Sequence, residues 1–262
     1  MSQSPTADRD LVALPRTAVL LLWSAAYLRG DLGPDDAAEL AYGADRSRPA
    51  PGGEDLFDWM TSLRRLPLAA PRLVLPQPGR IAGLVGPPPA IAAALQAEQA
   101  VVVTAAGLAD HTLVPTLIPE DDPHGRGARV RWERYAAPLG ASLAPPASSG
   151  TARTELLTAL RRAADSSIDL DLVPDEPVEL ARVPADWTVT GLPRHLAGRE
   201  AHLLVLAART LLLTRSELAE GSQQTVQLAE AQRRRALLAE LQDAARQALV
   251  EAVERVIHHE AG

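Results

Sequence analysis

The sequence predicts an α+β protein with N-terminal helices, a small antiparallel sheet in the middle of the chain and a long C-terminal helical hairpin. Three observations predict this class. Apolar residues recur at helical spacing near the N-terminus, short apolar runs bounded by Pro and Gly fill the middle, and two long helical patterns separated by Gly-Ser close the chain.

The N-terminal helices follow from start and stop signals. Residues 1–10 are polar and expected to be loose, and the apolar run 17–29 predicts a buried helix that starts at Thr17 and stops at Gly30. Pro34 and the two aspartates after it suit the first turn of a second helix. A third helix carries apolar side chains at helical spacing, namely Leu56, Trp59, Leu63 and Leu66.

The middle of the chain has the pattern of a small sheet. Residues 72–75 and 81–85 are short apolar runs, and an Ala-rich helix is expected at 90–97. Pro115 cannot donate to a sheet ladder, so its strand should lie at an edge or a bulge. With the loop 120–127 closing a hairpin, we expect an antiparallel sheet of three or four strands. Three of its strands are expected at 100–104, 112–118 and 128–135.

A Pro-, Gly-, Ala- and Ser-rich stretch at 138–150 is typical of a linker. It separates an α+β region, residues 11–137, from a mainly helical region, residues 151–262. The second region is expected to begin with a helix at 151–164. Two further strands are expected at 168–173 and 178–183, before an anchoring Trp187.

The C-terminal hairpin has two unlike helices. The first begins near Leu196 and is apolar on most sides, which indicates burial in a core. The second, residues 223–258, is amphipathic, with Arg233, Glu240, Glu251 and Glu254 opposite its apolar stripe. This stripe is the expected interaction surface and comprises Leu228, Ala231, Leu238, Leu241, Ala245, Leu249, Ala252 and Val256.

Composition excludes several function classes. The net charge is −7 and the pI about 5.4, so nucleic acid and an anionic membrane surface are both disfavoured as partners. The chain has no Cys, no Lys and no Asn, which removes disulfides, thiolate chemistry, Schiff-base and P-loop lysines and N-glycosylation. We expect no cofactor.

Two apolar stretches, 17–28 and 203–213, are shorter than the roughly 20 residues that span a bilayer. The first follows acidic rather than basic residues, unlike a secretory leader. We therefore expect a cytoplasmic protein that has no membrane as a partner.

Two groups of polar residues are candidate ligand sites. Asp121, Asp122 and His124 could hold a divalent cation, although a solvated hairpin tip accounts for the same residues. His195, Arg199 and His202 recur at helical spacing and could line a small-molecule site, although histidines at the edge of a core are the simpler alternative. No recognisable catalytic motif is present, so no catalytic residue is assigned.

Three segments carry a family resemblance: residues 14–20 (LPRTAVL), 83–90 (GLVGPPPA) and 206–209 (LAAR). Together they resemble an uncharacterised family of proteins from high-GC actinobacteria, with a similar pattern over most of the chain. The resemblance implies no activity and no catalytic residue.

These observations favour a non-enzymatic interaction, scaffold or regulatory protein that contacts a protein partner, or a second copy of itself, through the C-terminal amphipathic helix. One alternative is a small-molecule or metal-binding protein or enzyme with a pocket between sheet and hairpin. Another is a nucleic-acid-associated regulator whose basic face is hidden by the net charge.

Overall fold

A computed structural model describes residues 11–43, 49–119, 128–142, 150–169, 183–196, 198–220 and 228–258. Within these ranges the chain forms seven helices and two antiparallel sheets, and α6 and α7 pack together, which confirms the predicted α+β class and its C-terminal hairpin. Two compact units divide the chain. Unit 1 spans Met1–Pro145, Pro184–Ala197 and Val256–Gly262, and unit 2 spans Pro146–Val183 and Gly198–Arg255.

Unit 1 contains a four-stranded sheet of order β2-β3-β4-β5 and a two-stranded ladder of β1 with β6. Its helices are α1 (Arg16–Arg29), α2 (Pro34–Ala41), α3 (Leu56–Leu63) and α4 (Pro88–Ala97). Its strands are β1 (Val12–Pro15), β2 (Ala70–Val74), β3 (Ala100–Ala105), β4 (Leu108–Pro119), β5 (Ala128–Ala136) and β6 (Trp187–Thr190). The predicted central sheet and its neighbouring helix are thus confirmed, and the apolar run 81–85 lies in a turn and irregular structure.

The central sheet is covered on both faces, because successive side chains of a strand point to opposite sides. One face packs against α4 and shares a core with it, including Val102 and Val114. The opposite face carries Val101, Val103 and Leu113, all fully buried, and α1 contacts strands of this sheet. A sheet covered twice explains why β3 is a continuous apolar run without polar alternation.

Pro115 lies where the sheet permits a residue without a backbone N–H. The β3–β4 pairing extends in this direction only to Val101 opposite Leu113, whereas the β4–β5 pairing continues to Pro119 opposite Ala128. Pro115 therefore sits beyond the last β3 pair, on a stretch of β4 with one neighbour. The expected edge position is confirmed locally, although β4 is a central strand of the sheet.

Helix α1 is the centre of unit 1. Every residue from Arg16 to Tyr27 is buried, and Gly30 ends the helix in the left-handed conformation at φ 84°. Gln99 joins its N-terminus to the distant β6 segment: Gln99 Oε1 accepts from the backbone N–H of Thr17 at 3.0 Å, and Gln99 Nε2 donates to Asp186 O at 2.8 Å. Through Gln99, the start of α1 is thus connected to the segment before β6, which lies about 170 positions later in the chain.

Unit 2 is built from α5 (Ala152–Asp169), α6 (Gly198–Glu220) and residues 228–255 of α7 (Leu228–His258). Ala152 contacts Glu251 and Arg162 pairs with Glu240, so α5 and α7 run antiparallel. Glu217 of α6 pairs with Arg234 of α7. Leu204 and Ala207 of α6 and Ala245 and Leu249 of α7 are fully buried, so both hairpin helices contribute to the core. Arg209 and Leu213 are exposed, so α6 is buried on part of its surface rather than on most sides. Among the described helices, none combines the length and apolarity that a membrane crossing requires.

Two expectations for this region need correction. Residues 168 and 169 do not start a strand, because α5 continues to Asp169; the rest of 168–173 and most of 178–183 lie outside the described residues. Glu251 and Glu254 are not on a solvated face but are 2% and 5% exposed. The C-terminal part of α7 is surrounded on all sides, which helical periodicity alone does not reveal. Glu251 compensates by accepting from Arg255 and from the Ala152 N–H at the start of α5.

Candidate functional site

A polar cluster joins α3 to strands β4 and β5 in unit 1. Trp59 Nε1 donates to His111 Nε2 at 2.8 Å, and the two rings meet edge to face with centroids 6.3 Å apart. His111 Nδ1 lies 2.6 Å from Asp110 Oδ2. Arg134 reaches both Asp110 and Glu54 at 3.4 Å, so the chain of contacts runs from the buried indole to the surface.

Local structure brings these side chains together. Asp55 caps α3 by accepting from the N–H groups of Phe57 and Asp58, which fixes where the helix starts and directs Trp59 inward. His111 pairs with Val103 on β3 and with Ala136 on β5. Its side chain therefore lies on the same face of the sheet as Val103, opposite the face that packs against α4. The adjacent Asp110 is partly exposed.

The hydrogen bonds fix the tautomer of His111. Because Nε2 accepts from the indole N–H, Nδ1 carries the proton and donates it to the Asp110 carboxylate. Burial lowers the pKa of His111, and this outweighs the hydrogen bond to Asp110, which alone would raise it. The imidazole is therefore neutral at neutral pH.

The His111–Asp110 pair has the geometry of half a catalytic triad but not its accessibility. In a triad, Nε2 faces the nucleophile from which it takes a proton. Here Trp59 occupies that nitrogen, and the His111 side chain is 1% exposed. The cluster instead holds α3 against the sheet through a buried, satisfied hydrogen-bond chain.

Two tyrosines near this cluster have raised pKa values. The hydrogen bond from Tyr135 to Glu133, with burial and the Glu133 charge, raises the pKa of Tyr135 to about 12. Burial, with the charge of Asp55 as the second cause, raises the pKa of Tyr42 to about 12. Both phenols therefore keep their protons at neutral pH and are poor general bases there.

The three residues predicted to line a small-molecule site lie in different units. His195 belongs to unit 1, where its Nδ1 lies 2.9 Å from Asp31 Oδ2. Arg199 and His202 belong to α6 in unit 2; Arg199 is exposed, and His202 Nδ1 bonds to Gly198 O at 2.8 Å within the helix. His195 and His202 thus both have local structural partners.

The candidate metal ligands Asp121, Asp122 and His124 lie outside the described residues. Elsewhere, in the part of the chain that the structure does describe, no group of three or more His, Asp or Glu side chains is arranged to hold a metal ion.

The predicted apolar stripe of α7 divides into two parts. Its C-terminal part is buried within the chain: Leu241, Ala245, Leu249, Ala252 and Val256 are each at most 8% exposed. Its N-terminal part is less covered, because Ala231 and Leu238 are only half-buried. Leu228 begins the helix, and its side chain is outside the described set.

Sequence reasoning missed the polar cluster around His111. A signal was present, since His111 interrupts an otherwise apolar strand face and directly follows an aspartate. The long-range partner was not visible, because Trp59 fits the apolar stripe of α3 equally well as a plain core residue.

Comparison with known proteins identifies the chain at the family level only. The model of the Rv1486c-like protein, N-terminal domain, matches residues 17–150. No curated protein and no solved structure matches the chain. The matched segment contains α1 from Thr17 onward, α2 to α4 and the whole central sheet, including the polar cluster. The chain belongs to the Rv1486c-like family, an uncharacterised family as its sequence predicted.

Proposed function

We propose that this protein works by contact with a protein partner or a second copy of itself. The contact surface is the end of unit 2 at which the helices are only partly buried, before Leu241 of α7. We call this region the open end and define it by five leucines that are half-buried or exposed: Leu212, Leu213, Leu218, Leu237 and Leu238. The single observation that carries the proposal is the change in burial along α7 at Leu241, after which the stripe is covered.

Ion pairs support the assignment of these leucines to one end. Glu217 of α6 pairs with Arg234 of α7, and Arg162 of α5 pairs with Glu240 of α7. Each of the five leucines lies within about a turn and a half of one of these paired residues on the same helix. Both pairs are partly solvated, with side-chain exposures from 26% to 63%, so they contribute little to stability.

A partner would complete a core that the chain leaves unfinished. Leu213 is 46% exposed on a helix whose other leucines are buried or half-buried, and Leu237 and Leu238 are only partly covered. Incompletely buried leucines beside a polar rim are typical of surfaces that recognise another apolar helix face. The buried part of the α7 stripe supports unit 2 itself and is excluded from the proposed surface.

The alternatives have weaker support. The two candidate ligand histidines already have hydrogen-bond or ion-pair partners. Arg234, the middle one of three consecutive arginines at 233–235 in α7, is paired with Glu217. We also propose a cytoplasmic location, which the cysteine-free composition supports.

Static light scattering over a range of protein concentrations tests the proposal for the case in which the partner is a second copy of this chain. We expect the wild-type chain to increase in mass with concentration. The change Leu213→Ser should weaken this association by roughly fivefold or more, as for a central interface residue. Leu40→Ser on α2, whose leucine is 41% exposed in unit 1, is the matched control and should leave association unchanged. A decrease of equal size in both variants would contradict the proposed surface.

A further inference from the structure

The charges around the open end differ in sign from the net charge of the chain. The segments within four residues of its five leucines, 208–222 and 233–242, contain five arginines and three glutamates. Their net charge is +2, whereas the whole chain carries −7. Side chains three or four residues apart are neighbours on a helix, so these charges form a rim beside the leucines. The rim of the open end is therefore basic.

Two of the three glutamates in the rim are already neutralised. Glu217 of α6 pairs with Arg234 of α7, and Glu240 of α7 pairs with Arg162 of α5. The third, Glu220, is the last residue of α6, and its side chain is outside the described set. The carboxylates that the structure describes in the rim are thus occupied by arginines of the same chain.

Three arginines of the rim are exposed. Arg209 lies one turn before Leu213 on α6, and Arg233 and Arg235 lie about one turn before the half-buried leucine pair of α7. None of the three forms an ion pair or a hydrogen bond with another described residue. A guanidinium stays charged throughout the physiological pH range, so the open end presents three available positive charges.

The leucines are more covered than the arginines beside them. Leu213 is exposed, but the other four leucines of the open end are half-buried. The surface is therefore a shallow apolar recess with cations at its rim. The apolar face of an amphipathic helix supplies side chains that reach into such a recess, at spacings of three, four and seven residues. A lipid surface instead takes up apolar side chains that protrude from a protein.

We propose that the partner of the open end is an acidic amphipathic helix of another protein, an inference that rests on the proposed function. The recess receives the apolar stripe of that helix. Carboxylates beside the stripe pair with Arg209, Arg233 and Arg235, whose planar guanidinium groups match a carboxylate. Two copies of this chain that meet at their open ends bring rims of the same charge together, so this self-contact is the weaker of the two.

Fluorescence anisotropy with two designed, labelled peptides tests the proposal on the full chain. Each peptide has about three heptads with Leu at positions a and d. One peptide has Glu at the flanking positions e and g, and the other has Lys there. The wild-type chain should bind the Glu peptide at least about tenfold more tightly than the Lys peptide, because only the Glu peptide has charges opposite to those of the rim. Added salt should reduce this difference.

Removal of the exposed arginines tests their part in recognition. The triple variant Arg209→Gln, Arg233→Gln, Arg235→Gln should bind the Glu peptide about tenfold more weakly, because three charge contacts are lost. Glutamine retains the helix propensity of arginine, so the thermal midpoint should stay unchanged.

A matched control keeps the same net charge as this variant. It replaces three exposed arginines that lie outside the rim, in the changes Arg65→Gln, Arg153→Gln and Arg194→Gln. It should bind the Glu peptide like the wild-type chain. Leu213→Ser should weaken the binding of both peptides, since it removes an apolar contact that does not depend on charge.

The outcomes separate an error in the partner's charge from an error in the surface. Failure of the wild-type chain to bind the Glu peptide, equal affinity for both peptides, or equal losses in the two triple variants would overturn an acidic partner. Should Leu213→Ser still weaken peptide binding, the open end would remain a protein-binding surface; no effect of that change would contradict the proposed function itself. Binding to phosphatidylglycerol vesicles but not to the Glu peptide would overturn the proposal in favour of an anionic membrane.

Discussion

The two units bury their polar groups in different ways. Apart from Arg16, which donates to the Ala185 carbonyl, the buried polar side chains described in unit 1 are neutral, such as Gln99 with Thr17 and His111 with Trp59. Unit 2 buries two carboxylates, Glu251 and Glu254, and Glu251 accepts from the Ala152 N–H at the start of α5. The free energy of unfolding of unit 1 should therefore fall when a single large side chain is removed and when the pH falls. That of unit 2 should fall when a buried charge is removed.

The chain provides separate probes for this comparison. All four tryptophans, Trp23, Trp59, Trp132 and Trp187, belong to unit 1, so tryptophan fluorescence reports on that unit. The three longest helices, of 18, 23 and 31 residues, form unit 2 almost entirely, and helical circular dichroism therefore gives this unit the greater weight. Denaturant unfolding followed by both signals distinguishes the responses of the two units.

Trp59→Ala should have the largest effect, because it opens a cavity at a fully buried residue and removes the donor to His111. We expect a loss of about 4 kcal/mol in the free energy of unfolding seen by fluorescence. Trp59→Phe keeps most of the volume and should cost about 1–2 kcal/mol, which isolates the hydrogen bond. Equal losses in the two variants would show that the bond to His111, not packing, dominates.

Glu251→Ala tests unit 2. This carboxylate is 2% exposed and accepts from Ala152 N and Arg255, so its removal should cost about 2–3 kcal/mol in the transition followed by circular dichroism. Glu251→Gln keeps an acceptor for the helix N-terminus and should cost less. A change confined to the fluorescence transition would contradict the assignment of Glu251 to unit 2.

Acid should weaken unit 1 through His111. Its pKa in the folded chain lies below the ordinary value of 6.5, so the unfolded state binds a proton first as pH falls. The contribution of His111 is fully present above pH 6.5 and is lost progressively below it, toward the folded pKa. We expect fluorescence midpoints to decrease over this range. In His111→Gln, whose amide oxygen can still accept from Trp59, that decrease should be smaller.

Arg162→Ala should have the smallest effect. The Arg162 and Glu240 side chains are 63% and 52% exposed, so solvent screens the pair. The expected loss is about 0–0.5 kcal/mol in the circular dichroism transition. A loss above about 1 kcal/mol would mean that the charged groups of unit 2 act as a coupled network rather than as separate surface pairs.

Sequence periodicity predicted the elements whose signals are local. Gly30 indicated the end of α1, the apolar run 100–104 indicated strand β3, and Pro115 indicated an edge or a bulge. The β1–β6 ladder escaped prediction, because four-residue strands about 170 positions apart pair only after α1 and Gln99 bring them together. The exposure of Leu68 and Leu139 also escaped prediction, since both look like ordinary core residues in the sequence.

Burial of the charges in α7 was hidden for a related reason. A helical pattern gives the direction of a side chain but not the number of neighbours around the helix. Glu251 therefore looked solvated, and the apolar stripe looked equally available along its length. The structure limits the candidate interaction surface to the N-terminal part of that stripe and the adjoining turns of α6.

Site-specific photo-crosslinking in the native cell tests the central claim most directly. A photoreactive amino acid replaces Leu213 at the open end in one chain and Leu40 on α2 in a matched control, two positions of similar exposure. We predict a discrete crosslinked species of defined mass from position 213 and none from position 40. The same products from both positions, or none from either, would contradict a protein-binding role for the open end.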